Sequence, residues 1–186
     1  MSGIEHKIII TGSAGAGKTT AINCLSSCKV VTTEVHNSDR SIKKENTTVA
    51  MDYGEIGLNN GDRLRLYGTP GQQRFDFMWK VLAKGSLGVI ILIHNSPRAL
   101  AELDEYLAVF KEFLQQGRCV IGVSKLDQES IPNIDQYNSH LQSQGRRLPV
   151  FGVDSRKRQH ILLLVETLLC RIEMAGKLAA RRMNGH

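Results

Sequence analysis

Residues 12–19 read GSAGAGKT, and the fold is decided by this stretch. It fits the pattern G-x-x-x-x-G-K-[ST], follows the apolar run KIII at 7–10, and precedes a helix pattern over about 18–26. The spacing has a mechanical reason. Glycines at Gly12, Gly15 and Gly17 let the backbone curl so that successive N–H groups point inward at phosphate oxygens. The N-terminus of the following helix adds its partial positive charge. Lys18 has the reach to meet the outer phosphates, and the Thr19 hydroxyl is placed to ligate Mg²⁺. Ser13, Ala14, Ala16 and Thr20 complete the set expected to border the phosphates.

Outward from this turn, short apolar runs alternate with amphipathic segments, the pattern of a strand-helix-strand fold. The first strand is expected over about 7–10, and a polar, irregular stretch over 31–47. Two strand-like runs, 49–58 and 63–67, are joined by NNGD, a connection short enough to force a hairpin and hence one antiparallel strand. A helix over 72–84 leads to a central buried strand at 87–93. Pro97 opens a helix to about 115, with Leu100, Leu103, Leu107 and Phe110 at helical spacing. A strand at 119–123, a helix at 134–144, a short strand at 150–153 and a helix from 160 to about 181 complete the chain. The expectation is an α/β fold: a doubly wound, mostly parallel sheet with one antiparallel strand, its ligand site at the carboxyl ends of the strands.

The 186 residues suit one domain, here read as spanning 1–186. The longest apolar run, 87–93, is strand-sized and too short for a membrane span. Residue 2 is Ser and the chain ends NGH, so no lipid anchor is signalled, and the expected location is cytoplasmic. The formal charge of +6 is spread along the chain and aromatic content is 5%, which argues against a nucleic-acid partner. Cys24, Cys28, Cys119 and Cys170 lack CxxC pairs and read as reduced packing residues; Cys24 and Cys28 are expected on one helix face.

Residues 66–79 read LYGTPGQQRFDFMW. This segment resembles the D-x-x-G-Q element of Ras-like P-loop GTPases, and is most similar to small prokaryotic members related to the bacterial polarity and gliding-motility GTPases. The resemblance implies that Gly71 senses the γ-phosphate through its backbone N–H and that Gln72 positions the attacking water. Gly68 stands where that family carries an Asp supporting Mg²⁺ through a water, which leaves Thr19 and a switch threonine to hold the ion. Phe75, Phe77, Met78 and Trp79 form an apolar cluster that reads either as helix packing or as a partner-binding surface.

In the same family a threonine of the first switch ligates Mg²⁺. Thr48 is the best match, with Thr47 behind it. VIGVSKLD at 120–127 resembles the N-K-x-D guanine reader with Ser124 in place of Asn: Asp127 would accept from the guanine N–H groups, and the Lys125 stem would cover the ring. Ser155, in GVDSRK, falls where such proteins back the base through the main chain. The resemblance therefore implies GTP/GDP and Mg²⁺ as ligands, Gln72, Lys18 and Gly71 as the catalytic set, and activating and effector proteins that bind segments 31–48 and 68–84. Arg40 or Arg74 is a candidate arginine finger in cis, or the finger comes from a partner. A GTP-dependent interaction module without hydrolysis is the alternative, and a small P-loop kinase a more distant one. His94 has no evident partner.

Overall fold

The computed structural model describes residues 3–36, 48–71, 76–126 and 132–183. Along the chain come β1 (Glu5–Gly12), α1 (Lys18–Leu25), β2 (Val31–His36), β3 (Thr48–Gly57), β4 (Arg63–Gly68), α2 (Asp76–Ala83) and β5 (Gly88–His94). They are followed by α3 (Ala99–Val109), α4 (Lys111–Gln115), β6 (Cys119–Ser124), α5 (Ile134–Ser143), β7 (Val150–Val153) and α6 (Arg158–Met183). The strands form one seven-stranded sheet in the order β2-β3-β4-β1-β5-β6-β7. β3 pairs antiparallel with both its neighbours, and every other pairing is parallel, so a single strand runs against the rest. The expected doubly wound α/β sheet with one antiparallel strand is the observed one.

Period-two alternation explains the layers. Ile8 and Ile10 of β1, with Ile90 and Leu92 of β5, pack on Ile22 and Leu164, from α1 and α6. Ile9, Ile91 and Ile93 face the opposite way, onto Trp79, Leu103 and Tyr137, from α2, α3 and α5. With both faces covered, β1 and β5 read as continuous apolar runs. The chain leaves β1 toward β4 on one side and β5 on the other, and the turn after β1 lies at this switch point, where doubly wound folds bind ligands.

Three elements differ from the sequence expectation. Residues 31–36, expected to be irregular, form edge strand β2, with Val31 opposite Tyr53 and Val35 opposite Val49. An edge strand is paired on one side only, so it tolerates the polar residues that hid it. The helix expected over 97–115 breaks at Phe110 (φ −95°, ψ 23°) into α3 and α4. α1 ends at Leu25, so Cys28 lies beyond the helix that was to carry it beside Cys24. α5 opens on a reciprocal cap between Asn133 and Gln136, which fixes its start.

Trp79 anchors the second core. It is 1% exposed, stacks on Tyr106 with ring centroids 4.5 Å apart, and donates from Nε1 to the Pro70 carbonyl at 2.9 Å. Trp79→Phe keeps an aromatic ring there and removes the donor, for an expected loss of about 1–2 kcal/mol of stability. Urea unfolding should show a lower midpoint at an unchanged slope. An unchanged midpoint would mean that this bond contributes nothing.

Candidate nucleotide site

The turn after β1 is built by close backbone approach. Gly12 has φ +136°, and a Cβ there would sit 1.7 Å from the Leu92 carbonyl oxygen, so only glycine fits. Ser13 N–H donates to that same carbonyl at 3.0 Å. Gly17 (φ +92°) is the N-cap of α1, and a Cβ there would lie 2.4 Å from Ser155 Oγ. A glycine cap has no side chain to occupy the helix N–H groups, which leaves them facing the turn. Ala14 and Gly15 are exposed on the outer side, whereas Ala16 is buried in the first core.

Lys18 begins α1 and is 9% exposed. Its Nζ donates to the Gly12 and Ser13 carbonyls at 2.8 Å each, which holds the side chain back over the turn. Burial pushes this ammonium down to about 8, while the Asp52 carboxylate pulls it the other way. A buried cation whose charged form is this poorly solvated suits an anionic ligand.

Thr19 Oγ1 donates to Asp52 Oδ2 at 2.5 Å. Asp52 lies on β3, 9% exposed, directly opposite Gly68 in register. Sequence reading did not single it out. A signal was nonetheless present: in a hairpin centred on residue 60, paired numbers sum to 120, as Gly57 with Arg63 does, so 52 falls opposite 68.

The second loop sits against the first. Thr69 N–H donates to the Ile10 carbonyl at 3.0 Å, and Thr69 Oγ1 to Thr11 Oγ1 at 2.8 Å. A Cβ on Gly71 would lie 2.5 Å from Lys18 Nζ and 2.9 Å from Ala14 N, so the Gly71 backbone is pressed against the phosphate turn. Tyr106 Oη donates to the Gly71 carbonyl at 3.4 Å.

On the other flank, buried Ser124 donates to the Ile93 carbonyl at 3.3 Å and does not reach the turn. The tie between the turn and β5 is instead Ser13, whose Oγ accepts from the His94 N–H at 2.7 Å. His94 Nδ1 is 3.2 Å from the place of a Gly15 Cβ, so this histidine lies against the turn. Lys125 is exposed and has φ +59°, an uncommon conformation for a residue with a side chain. Ser155 is 7% exposed and donates to the Ala16 carbonyl at 3.3 Å, bracing the β7–α6 loop on the turn. Between these loops opens a cleft of about 760 Å³, bordered by Gly15, Thr20, Ser124, Lys125, Asp154 and Ser155. A hollow of about 900 Å³ beside Ser86 and Arg118 lies at the amino ends of β5 and β6, the end that does not bind ligands in this topology.

Gln72, Arg74 and Phe75, with Arg40 and Thr47, lie outside the described residues, as does Asp127. Thr48 opens β3 opposite His36. The structure thus brings Gly12, Ser13, Ala14, Gly15, Ala16, Gly17, Lys18, Thr19 and Gly71 to one point, with Thr20, Ser124, Lys125 and Ser155 around the adjoining cleft. The donor set there fits a phosphate ligand with a hard cation: the N-terminus of α1 without a side-chain cap, one buried ammonium, a hydroxyl and a carboxylate. Among the described residues no group of three or more His, Cys, Asp or Glu side chains could hold a metal by itself.

Comparison with known proteins points to the same broad class. An uncharacterized protein of Methanocaldococcus jannaschii is 26% identical over 136 residues, which is 72% of this chain and 79% of that protein. An intraflagellar transport protein 22 homolog of Bos taurus is 26% identical over 124 residues, 63% of this chain. The match spans 64% of the bovine protein, just under two thirds of its length. These relatives support the P-loop nucleotide-binding class; they lend no support to the narrower kinship with bacterial polarity GTPases. The family profile described as conserved hypothetical ATP binding protein matches residues 29–174, well over half of the 186, and the chain belongs to that family.

Proposed function

We propose that this chain binds Mg²⁺-GTP, hydrolyses it slowly to GDP, and works as a nucleotide-dependent switch. The observation that carries the reading is the meeting of two loops at one cation: Lys18 Nζ, held over the turn, lies against the backbone of Gly71. A γ-phosphate placed at Lys18 is thereby within reach of the Gly71 N–H, and its loss on hydrolysis releases the loop that follows.

In this reading the N–H groups of residues 14, 15 and 17–19 cradle the phosphates, and Lys18 neutralises the outer two. Thr19 and Thr48 hold Mg²⁺, which supplies further charge neutralisation. Gln72 orients the attacking water toward the γ-phosphorus, in line with the departing oxygen. Asp127 reads the guanine N–H groups, the Lys125 stem covers the ring, and Ser124 and Ser155 support the two loops. Segments 31–48 and 68–84 bind activating and effector proteins; in support, the second segment reaches the site through Gly71, whose backbone lies against Lys18. The family's description as ATP binding favours a second reading, the same chemistry on adenine.

Single-turnover phosphate release separates these ideas. GTP should be turned over slowly and ATP much more slowly. Gln72→Ala should lower the GTP rate roughly tenfold to a hundredfold at unchanged GTP affinity, as expected for a misplaced water. No phosphate release from GTP, even at long times, rejects hydrolysis; faster release from ATP selects the adenine reading.

A further inference from the structure

The Ras-like element that residues 66–79 resemble carries an Asp where this chain has Gly68, and the structure sets a carboxylate of a different strand, Asp52, beside that position. We propose that Asp52 of β3 is the carboxylate of the Mg²⁺ site, a role that rests on the Mg²⁺-nucleotide reading above.

Four observations converge. β3 and β4 pair antiparallel, with Asp52 directly opposite Gly68. A Cβ built on Gly68 would sit 2.8 Å from Ile22 Cδ1, 3.0 Å from Asp52 Cβ and 3.3 Å from its Oδ2, so Asp52 shares with Ile22 the space that a side chain at 68 would use. Oδ2 accepts from Thr19 Oγ1 at 2.5 Å, which turns the hydroxyl lone pairs away from the strand. Finally, Asp52 is 9% exposed and its field reaches Lys18, so it belongs electrostatically to the phosphate turn.

The chemistry follows from these contacts. Mg²⁺ keeps several waters and is held through one or two carboxylates together with substrate phosphates. A carboxylate that fixes the orientation of a ligating hydroxyl and accepts from a metal-bound water performs the supporting role that such sites require. A Gly at 68 is what lets the β3 side chain in, and an Asp at 52 is what makes a carboxylate at 68 unnecessary. Support for the ion then comes from the strand that continues from Thr48, not from the strand that leads into Gly71.

The test uses the full chain and fluorescent GDP, titrated with excess Mg²⁺ and again with a chelator. Asp52→Asn is isosteric and keeps an acceptor for Thr19. It should cut the Mg²⁺-induced gain in GDP affinity, taken as the ratio of affinities with Mg²⁺ and in chelator, by roughly tenfold. Mn²⁺ bound with GDP, read by electron paramagnetic resonance, should weaken in parallel. Equal changes with and without Mg²⁺, or none, would overturn the proposal and leave Asp52 a structural residue. Exchanging the positions, Asp52→Gly with Gly68→Asp, should restore the Mg²⁺ gain; a folded exchange variant without it also counts against the proposal. A parent chain that binds no GDP at all sinks the nucleotide reading itself, a result distinct from a parent whose Mg²⁺ gain survives Asp52→Asn.

Discussion

Lys18→Ala is expected to weaken GTP binding by two to three orders of magnitude, about 3–4 kcal/mol. A charged donor to phosphate is worth about 1.5–3 kcal/mol per hydrogen bond, and in the proposed function this ammonium serves two phosphates. It is also preorganised, because the bonds to the Gly12 and Ser13 carbonyls at 2.8 Å hold it in place before any ligand arrives. Alanine suits the first turn of a helix, so the variant should fold, and thermal unfolding checks that separately. The parent should also show a pH signature. Burial holds the empty protein's Lys18 down to about 8, whereas bound phosphate favours the ammonium. Above that pH, binding takes up a proton, so affinity falls as pH rises, by about fivefold from pH 8 to pH 9. Lys18→Ala should be flat across that window. Titration calorimetry measures both effects, and equal affinity in parent and variant would contradict the assignment.

Asp127→Asn should exchange the base preference. A carboxylate that accepts from two guanine N–H groups rejects a base lacking them by about 10⁴, since the acid is then left unpaired. An amide offers one acceptor and one donor, which suits xanthine, whose extra carbonyl accepts. GTP affinity is expected to fall roughly a hundredfold and XTP affinity to rise by a similar factor, a swing of about 5 kcal/mol. Competition against a fluorescent nucleotide reads both arms. Retained guanine preference would move the base reader away from residues 124–127.

The parts legible in the sequence were those set by local rules. GSAGAGKT fixes its own geometry: Gly12 and Gly17 stand where a Cβ would strike Leu92 and Ser155. The alternation of Ile8, Ile9 and Ile10 over two cores follows from strand periodicity. NNGD between two apolar runs likewise implied the reversed strand. The parts not legible depend on partners distant in sequence. β2 is polar because only one of its edges is paired, so its alternation carried little hydrophobic signal. Asp52 looked like an ordinary polar position of a strand until Gly68 and Thr19 were brought beside it. Ser13 was expected to border the phosphates, and its bond to the His94 N–H joins residues far apart in the chain. Ser155 was expected to back the base through its main chain, and its hydroxyl bond to the Ala16 carbonyl, distant in the chain, had no signal in the sequence.

The most direct measurement is a calorimetric titration of nucleotide-free protein, in Mg²⁺, with a slowly hydrolysed GTP analogue, and in parallel with its ATP counterpart. One site per chain is expected for the guanine compound, with the adenine compound at least a thousandfold weaker, roughly 4 kcal/mol. Absence of heat with both compounds would contradict the account at its root, and tighter binding of the adenine compound would contradict its choice of base.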